Sequence, residues 1–133
     1  MKQTRALAAG SEWTEKDPKE FPGSPFVRIG EDWMLISAGD GPSGDWNTMT
    51  ASWGGLGVLW RKNTAIVFVR KSRRTLEFMN SSHLFSLSFF DEEHRKALAF
   101  CGDHSGRDCD KAEQAKLHPV YFKDRTLGFA EAR

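Results

Sequence analysis

Residues Trp46 to Gly55 read WNTMTASWGG, and the fold turns on how that run is understood. Asn47, Thr48, Thr50 and Ser52 are small polar residues interleaved with Met49, Ala51 and Trp53. A period near two fits a strand with one face on a core and the other on something polar, not a helix. Gly54, Gly55 and Gly57 follow, and glycine in a strand pattern marks a bend or the close approach of another group. A strand edged with short hydroxyl, amide and glycine residues can lay backbone N–H and C=O groups against a flat polar ligand. The stretch is read as that kind of platform.

Working outward, Trp33 to Ala38 is a short apolar run and the expected first core strand, with the turn cluster GDGPSG at Gly39 to Gly44 between it and the platform. Beyond the platform, Gly57–Trp60 and Ala65–Arg70 are strand candidates split by a turn at Arg61–Asn63. Ile66, Val67, Phe68 and Val69 run on without a polar break, which predicts a strand buried on both faces. Thr75 is placed to cap a short helix through Glu77, Phe78 and Met79 that Asn80 to Ser82 would end. His83 to Phe90 alternates cleanly as a strand. Asp91 then reads as the N-cap of a helix with Glu92 and Glu93 in its first turn, Ala97, Leu98 and Cys101 on its apolar side, and Gly102 at its end. A second short helix is expected from Asp110, and a strand pair from Pro119–Phe122 and Thr126–Ala132. The polar segment 1–28, with Pro18, Pro22 and Pro25, reads as an irregular arm with a frayed helix at its start, ahead of a domain over 29–133. Short strands with a few helices between them predict a mainly β fold, a small barrel or sandwich with short peripheral helices.

Composition narrows the function. A chain of 133 residues suits one domain with a real core. Lys+Arg 19 against Asp+Glu 18 leaves a net charge of +1, with no general pull towards nucleic acid or an anionic membrane. No apolar run approaches the ~20 residues of a membrane helix, the first residues lack the apolar centre of a signal peptide, and two cysteines make no disulfide framework. A cytoplasmic location is expected.

Two further stretches carry chemistry. Val69 to Thr75 reads VRKSRRT, placing Arg70, Lys71, Arg73 and Arg74 beside the hydroxyls of Ser72 and Thr75 just where a helix begins. A solvated basic turn is the plainer reading of a charge run. Arginine forks, hydroxyls and the free N–H groups of a helix start together make a phosphate seat the better one. Cys101 to Lys111 reads CGDHSGRDCDK, where Ser105, Gly106 and Arg107 form a small-residue loop with one long cation. That loop is either an ordinary helix connection or a cover for a ribityl or phosphate group. Cys101, His104, Cys109 and His118 follow the spacing C-x2-H-x4-C-x8-H, which matches no zinc pattern, and no metal site is expected. Nor is there a Ser-His-Asp set, a P-loop or a G-x-G-x-x-G run, so no catalytic residue is assigned.

Taken in order, WNTMTASWGGLGVLW, VRKSRRT, LFSLSFFDE and CGDHSGRDCDK resemble the flavin reductase-like family of flavoredoxin type, whose members adopt the FMN-binding split barrel. The resemblance runs from about Trp33 to the end. It implies FMN as cofactor, bound at the interface of a homodimer, NAD(P)H as a co-substrate, and a free flavin or partner protein as electron acceptor. It implies that Asn47, Met49, Thr50, Ala51 and Ser52 lie along the isoalloxazine and ribityl. It assigns the phosphate end to Arg70, Ser72, Arg74 and Thr75, with Arg73 a close alternative to Arg74, and closure over the cofactor to Ser105, Gly106, Arg107 and Asp108, with Asp110 and Lys111 completing the loop. A flavin carrier without nicotinamide activity is the alternative within the resemblance, and a small barrel holding another phosphorylated ligand such as pyridoxal phosphate is the alternative outside it. Two departures stand out: Lys71 follows Arg70 where relatives often have proline, and relatives continue with further strands after GFAEAR. A barrel lacking its C-terminal strands is therefore expected, with an open edge for dimerisation to cover.

Overall fold

The computed structural model describes residues 2, 4–6 and 13–133. Its strands are β1 (Arg5–Ala6), β2 (Met34–Asp40), β3 (Asp45–Ala51), β4 (Gly54–Leu59), β5 (Lys62–Val67), β6 (Phe85–Ser88), β7 (Pro119–Tyr121) and β8 (Leu127–Phe129). Its helices are α1 (Pro25–Gly30), α2 (Arg74–Ser82), α3 (Arg95–Asp103) and α4 (Lys111–Gln114). The frayed helix expected at the start of the chain falls largely outside the described residues, and Arg5–Ala6 within it is a strand paired parallel to β7. Helix α1 runs across position 28, where the arm was expected to give way to the domain.

Strands β3 and β2 form an antiparallel hairpin in full register from Met34↔Ala51 to Asp40↔Asp45, and β6 pairs with the other side of β2. Because side chains alternate across a strand, this sheet feeds two cores. Leu35 and Trp46 point to one, with Leu98 and Cys101 of α3 and Leu127 and Phe129 of the β7–β8 side. Met34, Ile36, Met49 and Ala51 point to the other, with Ile29 and Phe89. The central strand β2 is thus covered on both sides, as its unbroken apolar run requires. Strands β1, β7 and β8 form a second sheet, and β4 pairs only with β5. Among the described residues none of these three sheets closes into a barrel, and no helix is long and apolar enough to cross a membrane.

The expected strands, helices and turns are present, with four corrections. Strand β5 is not buried on both faces: Ile66 stays 49 % exposed and the adjoining Phe68 62 %. The β4–β5 turn is Trp60–Arg61, both with positive φ, as a two-residue hairpin turn demands. The reading at Arg61–Asn63 missed it because neither residue is the Asn or Gly that usually announces that turn. Thr75 does not cap α2. Arg73 holds the N-cap position, and Thr75 lies inside the first turn, fully buried. Asp91 precedes a single 3-10 turn (Glu92–His94) without a side-chain capping bond, and α3 starts only at Arg95. Asp110, by contrast, does cap α4, accepting a hydrogen bond from the Glu113 N–H.

Candidate functional site

Strand β3 is an edge strand of its sheet, so half of its backbone polar groups face outward and are open to another partner. Two hollows lie along it. The first, of about 160 Å³, is formed by Met49, Thr50, Ala51, Ser52, Trp53 and Phe68, with Arg70 and Arg73 at its rim. The second, of about 250 Å³, runs from Asn47 and Met49 past Ser72, Arg73, Arg74 and Thr75 to Ser105, Gly106, Asp108 and Lys111; Asp103 and His104 also border it. The two share Met49 and Arg73. Every residue that the resemblance assigns to the cofactor borders one hollow or the other, except Arg107 and Asp110. The platform strand, the basic helix start and the small-residue loop therefore do converge.

The alternation of β3 divides the platform. Asn47, Met49 and Ala51 face α2, where the buried Asn47 side-chain amide donates to Thr75 Oγ1 at 3.0 Å. Thr50 faces the other way, and its hydroxyl donates to the Leu98 carbonyl of α3 at 2.5 Å. Thr50 and Ser52 both border the first hollow, but the Thr50 hydroxyl gives its proton to the protein, as does that of Thr48, which donates to the Ile36 carbonyl at 3.1 Å. Backbone groups of the edge strand remain for a ligand. Arg70, at the rim, lies over the Trp53 ring with its guanidinium carbon 5.3 Å from the ring centre.

The loop over the second hollow is tightly seated. A Cβ on Gly106 would lie 2.1 Å from Asn47 Oδ1, so only glycine allows this approach. The Arg107 N–H donates to Ser105 Oγ at 3.1 Å and the Asp108 N–H to the Ser105 carbonyl at 3.0 Å.

The cations around the second hollow and its loop fall into two groups. Arg74 pairs with Glu77 three residues on, and Arg107 donates to the same carboxylate at 2.6 Å and to the Ser72 carbonyl at 3.2 Å. The hydrogen bond from Arg74, then that from Arg107, holds the Glu77 carboxyl below the usual range. Arg73 and Lys111 have no ion pair among the described residues. Lys111 is 3 % exposed, and its ammonium gives one hydrogen bond, to the Cys101 carbonyl at 3.0 Å. Burial lowers its pKa from the ordinary lysine value, the mark of an ammonium short of acceptors. A hollow bordered by an unpaired guanidinium and a buried, under-satisfied ammonium is built for an anion.

Sequence reasoning missed Glu77 as a site residue. The signal was its spacing from Arg74, which matters only once α2 is known to begin at Arg74. It also missed Lys2, whose ammonium donates to the Trp46 carbonyl and lies 5.0 Å from the centre of that ring; nothing local in the sequence links those two positions. The four candidate metal ligands do not gather, and among the described residues no cluster of His, Cys, Asp or Glu could hold an ion.

The family model described as "Flavin reductase like domain" matches residues 26–133. Two solved structures are similar in fold. Flavoredoxin of Desulfovibrio vulgaris (Miyazaki F) superposes with a TM-score of 0.66 at 22 % identity, over 74 % of this chain and 54 % of that one. An FMN-binding domain of a flavin reductases-like enzyme from Shewanella baltica OS155 superposes with a TM-score of 0.67 at 19 % identity, over 81 % of this chain and 56 % of that one. The chain thus spans little more than half the length of either. No curated protein matches it.

Proposed function

The chain belongs to the flavin reductase like domain family, and from that premise we propose that it is an FMN-binding flavoprotein of split-barrel type, acting as an NAD(P)H-dependent flavin reductase. The observation that carries the reading is the pair of hollows joined at Met49 and Arg73. One is flanked by an edge strand and aromatic rings, as a flat ring system needs. The other is bordered by Arg73 and Lys111, as a terminal phosphate needs. The residues present therefore fit FMN, which when bound supplies the hydride and electron chemistry.

The chain's own groups bind and orient. Backbone groups of β3 near Ala51 and Ser52 face the ring. Arg73 and Lys111 neutralise the phosphate, with the N–H groups at the start of α2 beside them. Gly106 brings its loop against Asn47 and narrows the way for water. No protein acid or base is needed in this scheme.

The second copy belongs to the same proposal. Trp53 and Phe68, at the first hollow, are 58 % and 62 % exposed, and the β4–β5 hairpin beside them bares Val58, Leu59, Trp60 and Ile66. A contiguous apolar surface of this kind marks an interaction site. A homodimer that covers the hairpin and completes the ring hollow accounts for it. A cytoplasmic setting fits two free thiols, Cys101 and Cys109.

Titrating the purified protein with FMN, followed by visible absorption and fluorescence quenching, tests the cofactor; no change in either would overturn the reading. Arg73→Ala should weaken FMN binding by about ten- to a hundredfold, the worth of a charge-assisted hydrogen bond, and leave riboflavin binding unaltered. An NAD(P)H oxidation assay with FMN present separates a reductase from a flavin carrier.

A further inference from the structure

Nothing in the flavin reading assigns a role to Glu77, yet it occupies the junction between α2 and the loop that walls the anion hollow. Its two carboxylate oxygens are used separately: Oε2 takes Arg74 of its own helix, and Oε1 takes Arg107 of the loop. The Arg107 guanidinium also reaches back to the Ser72 carbonyl just ahead of the helix. Arg107 does not border the hollow, whereas its neighbours Ser105, Gly106 and Asp108 do. Its charge is turned towards protein, away from the space a ligand would fill. We infer that Glu77 and Arg107 form a latch that holds the loop at 105–108 closed over the anion hollow, which makes Glu77 a positioning residue and Arg107 an anchor, not a phosphate ligand.

The arrangement leaves the anion to Arg73 and Lys111, the two Lys or Arg bordering the second hollow that have no ion pair among the described residues. Both latch partners are about half exposed, Arg107 at 45 % and Glu77 at 49 % of the side chain. An exposed pair is worth little in global stability. The latch should therefore govern local opening of the loop and not folding of the domain.

The inference rests on the flavin reading for its ligand, and the test separates the two. Amide hydrogen exchange is measured on the ligand-free protein and on Glu77→Gln, Arg107→Gln, the double variant and Arg74→Gln. The reporters are the N–H groups of Arg107, Asp108 and Cys109, all bonded to Ser105 in the closed loop. Each latch variant should speed their exchange by about three- to tenfold. The double variant should do no more than either single, because one interaction is lost in each. Arg74→Gln, which spares the Arg107 pair, should leave the loop unchanged and serves as the control for helix damage. FMN should leave the latch variants faster by a similar factor. Unchanged loop exchange, or additive effects in the double variant, overturns the latch whatever FMN does. Faster exchange in a protein that binds no FMN keeps the latch and removes the flavin.

Discussion

Strands β3 and β5 have traded the environments their compositions would predict. Strand β3 carries Asn47 and Thr48, yet these are 2 % and 1 % exposed. Strand β5 and its continuation carry Ile66 and Phe68, and both lie open to solvent. The difference lies in partners. The polar groups of β3 are satisfied inside the chain: Thr48 accepts from Ser37 at 3.0 Å, and Asn47 donates to Thr75. A hydrogen-bonded polar group can be buried at small cost, whereas an unpaired one cannot. Val67, on the other face, packs against the second core, but Ile66 and Phe68 meet no second layer within one chain, because β4–β5 is a two-stranded sheet on its own. Burial thus follows the supply of neighbours, and polarity only limits which neighbours will serve.

Substitutions can break this contrast, beginning with the largest effect. Trp46→Ala in β3 should cost about 3–5 kcal/mol of unfolding free energy in urea, because it empties a large, fully buried site. Asn47→Ala should cost about 1–3 kcal/mol by leaving the buried Thr75 hydroxyl without its donor, and should weaken FMN binding as well, since Gly106 rests on Asn47. A smaller effect is expected beneath the same sheet at Cys101, whose thiol burial pushes up to about 11 from an ordinary 9.0. A raised pKa means the folded form holds the proton longer. Its contribution is fully present below about pH 9 and is lost as pH rises towards about 11, and a Cys101→Ala variant should lose that alkaline slope in denaturant melts. Cys101 should also resist alkylation in the folded protein, which mass mapping would read. The smallest change is expected for Ile66→Ser with Phe68→Ser: within about 0.5 kcal/mol on the stability of the lone chain. If the proposed homodimer covers this hairpin, the same pair should shift the protein to a smaller size on gel filtration. A large loss of monomer stability from that pair would show that β5 is covered by its own chain after all.

Much of the site was legible because its parts are contiguous in sequence. The hydroxyl-rich strand, the VRKSRRT run and the SGRD loop each announce themselves by residue type, and they border adjoining hollows. What stayed hidden was direction. Nothing in the string told that Thr50 would turn to Leu98 of α3, or that Arg74 and Arg107 would meet at Glu77 and leave Arg73 and Lys111 unpaired. These outcomes depend on which face of β3 meets which helix, and on where α2 begins. The Trp60–Arg61 turn was hidden for another reason: residues that seldom accept positive φ accept it here because pairing from Gly54↔Val67 to Leu59↔Lys62 leaves no other geometry.

Local pattern by itself determined where most strands and helices fall and which residue types are available for an anion and a flat ring, since periodicity and side-chain chemistry act over a few neighbouring positions. Only the tertiary structure decided which of those groups are free. A cation or hydroxyl is free or taken according to partners that come from distant parts of the chain, and their arrival is a matter of packing.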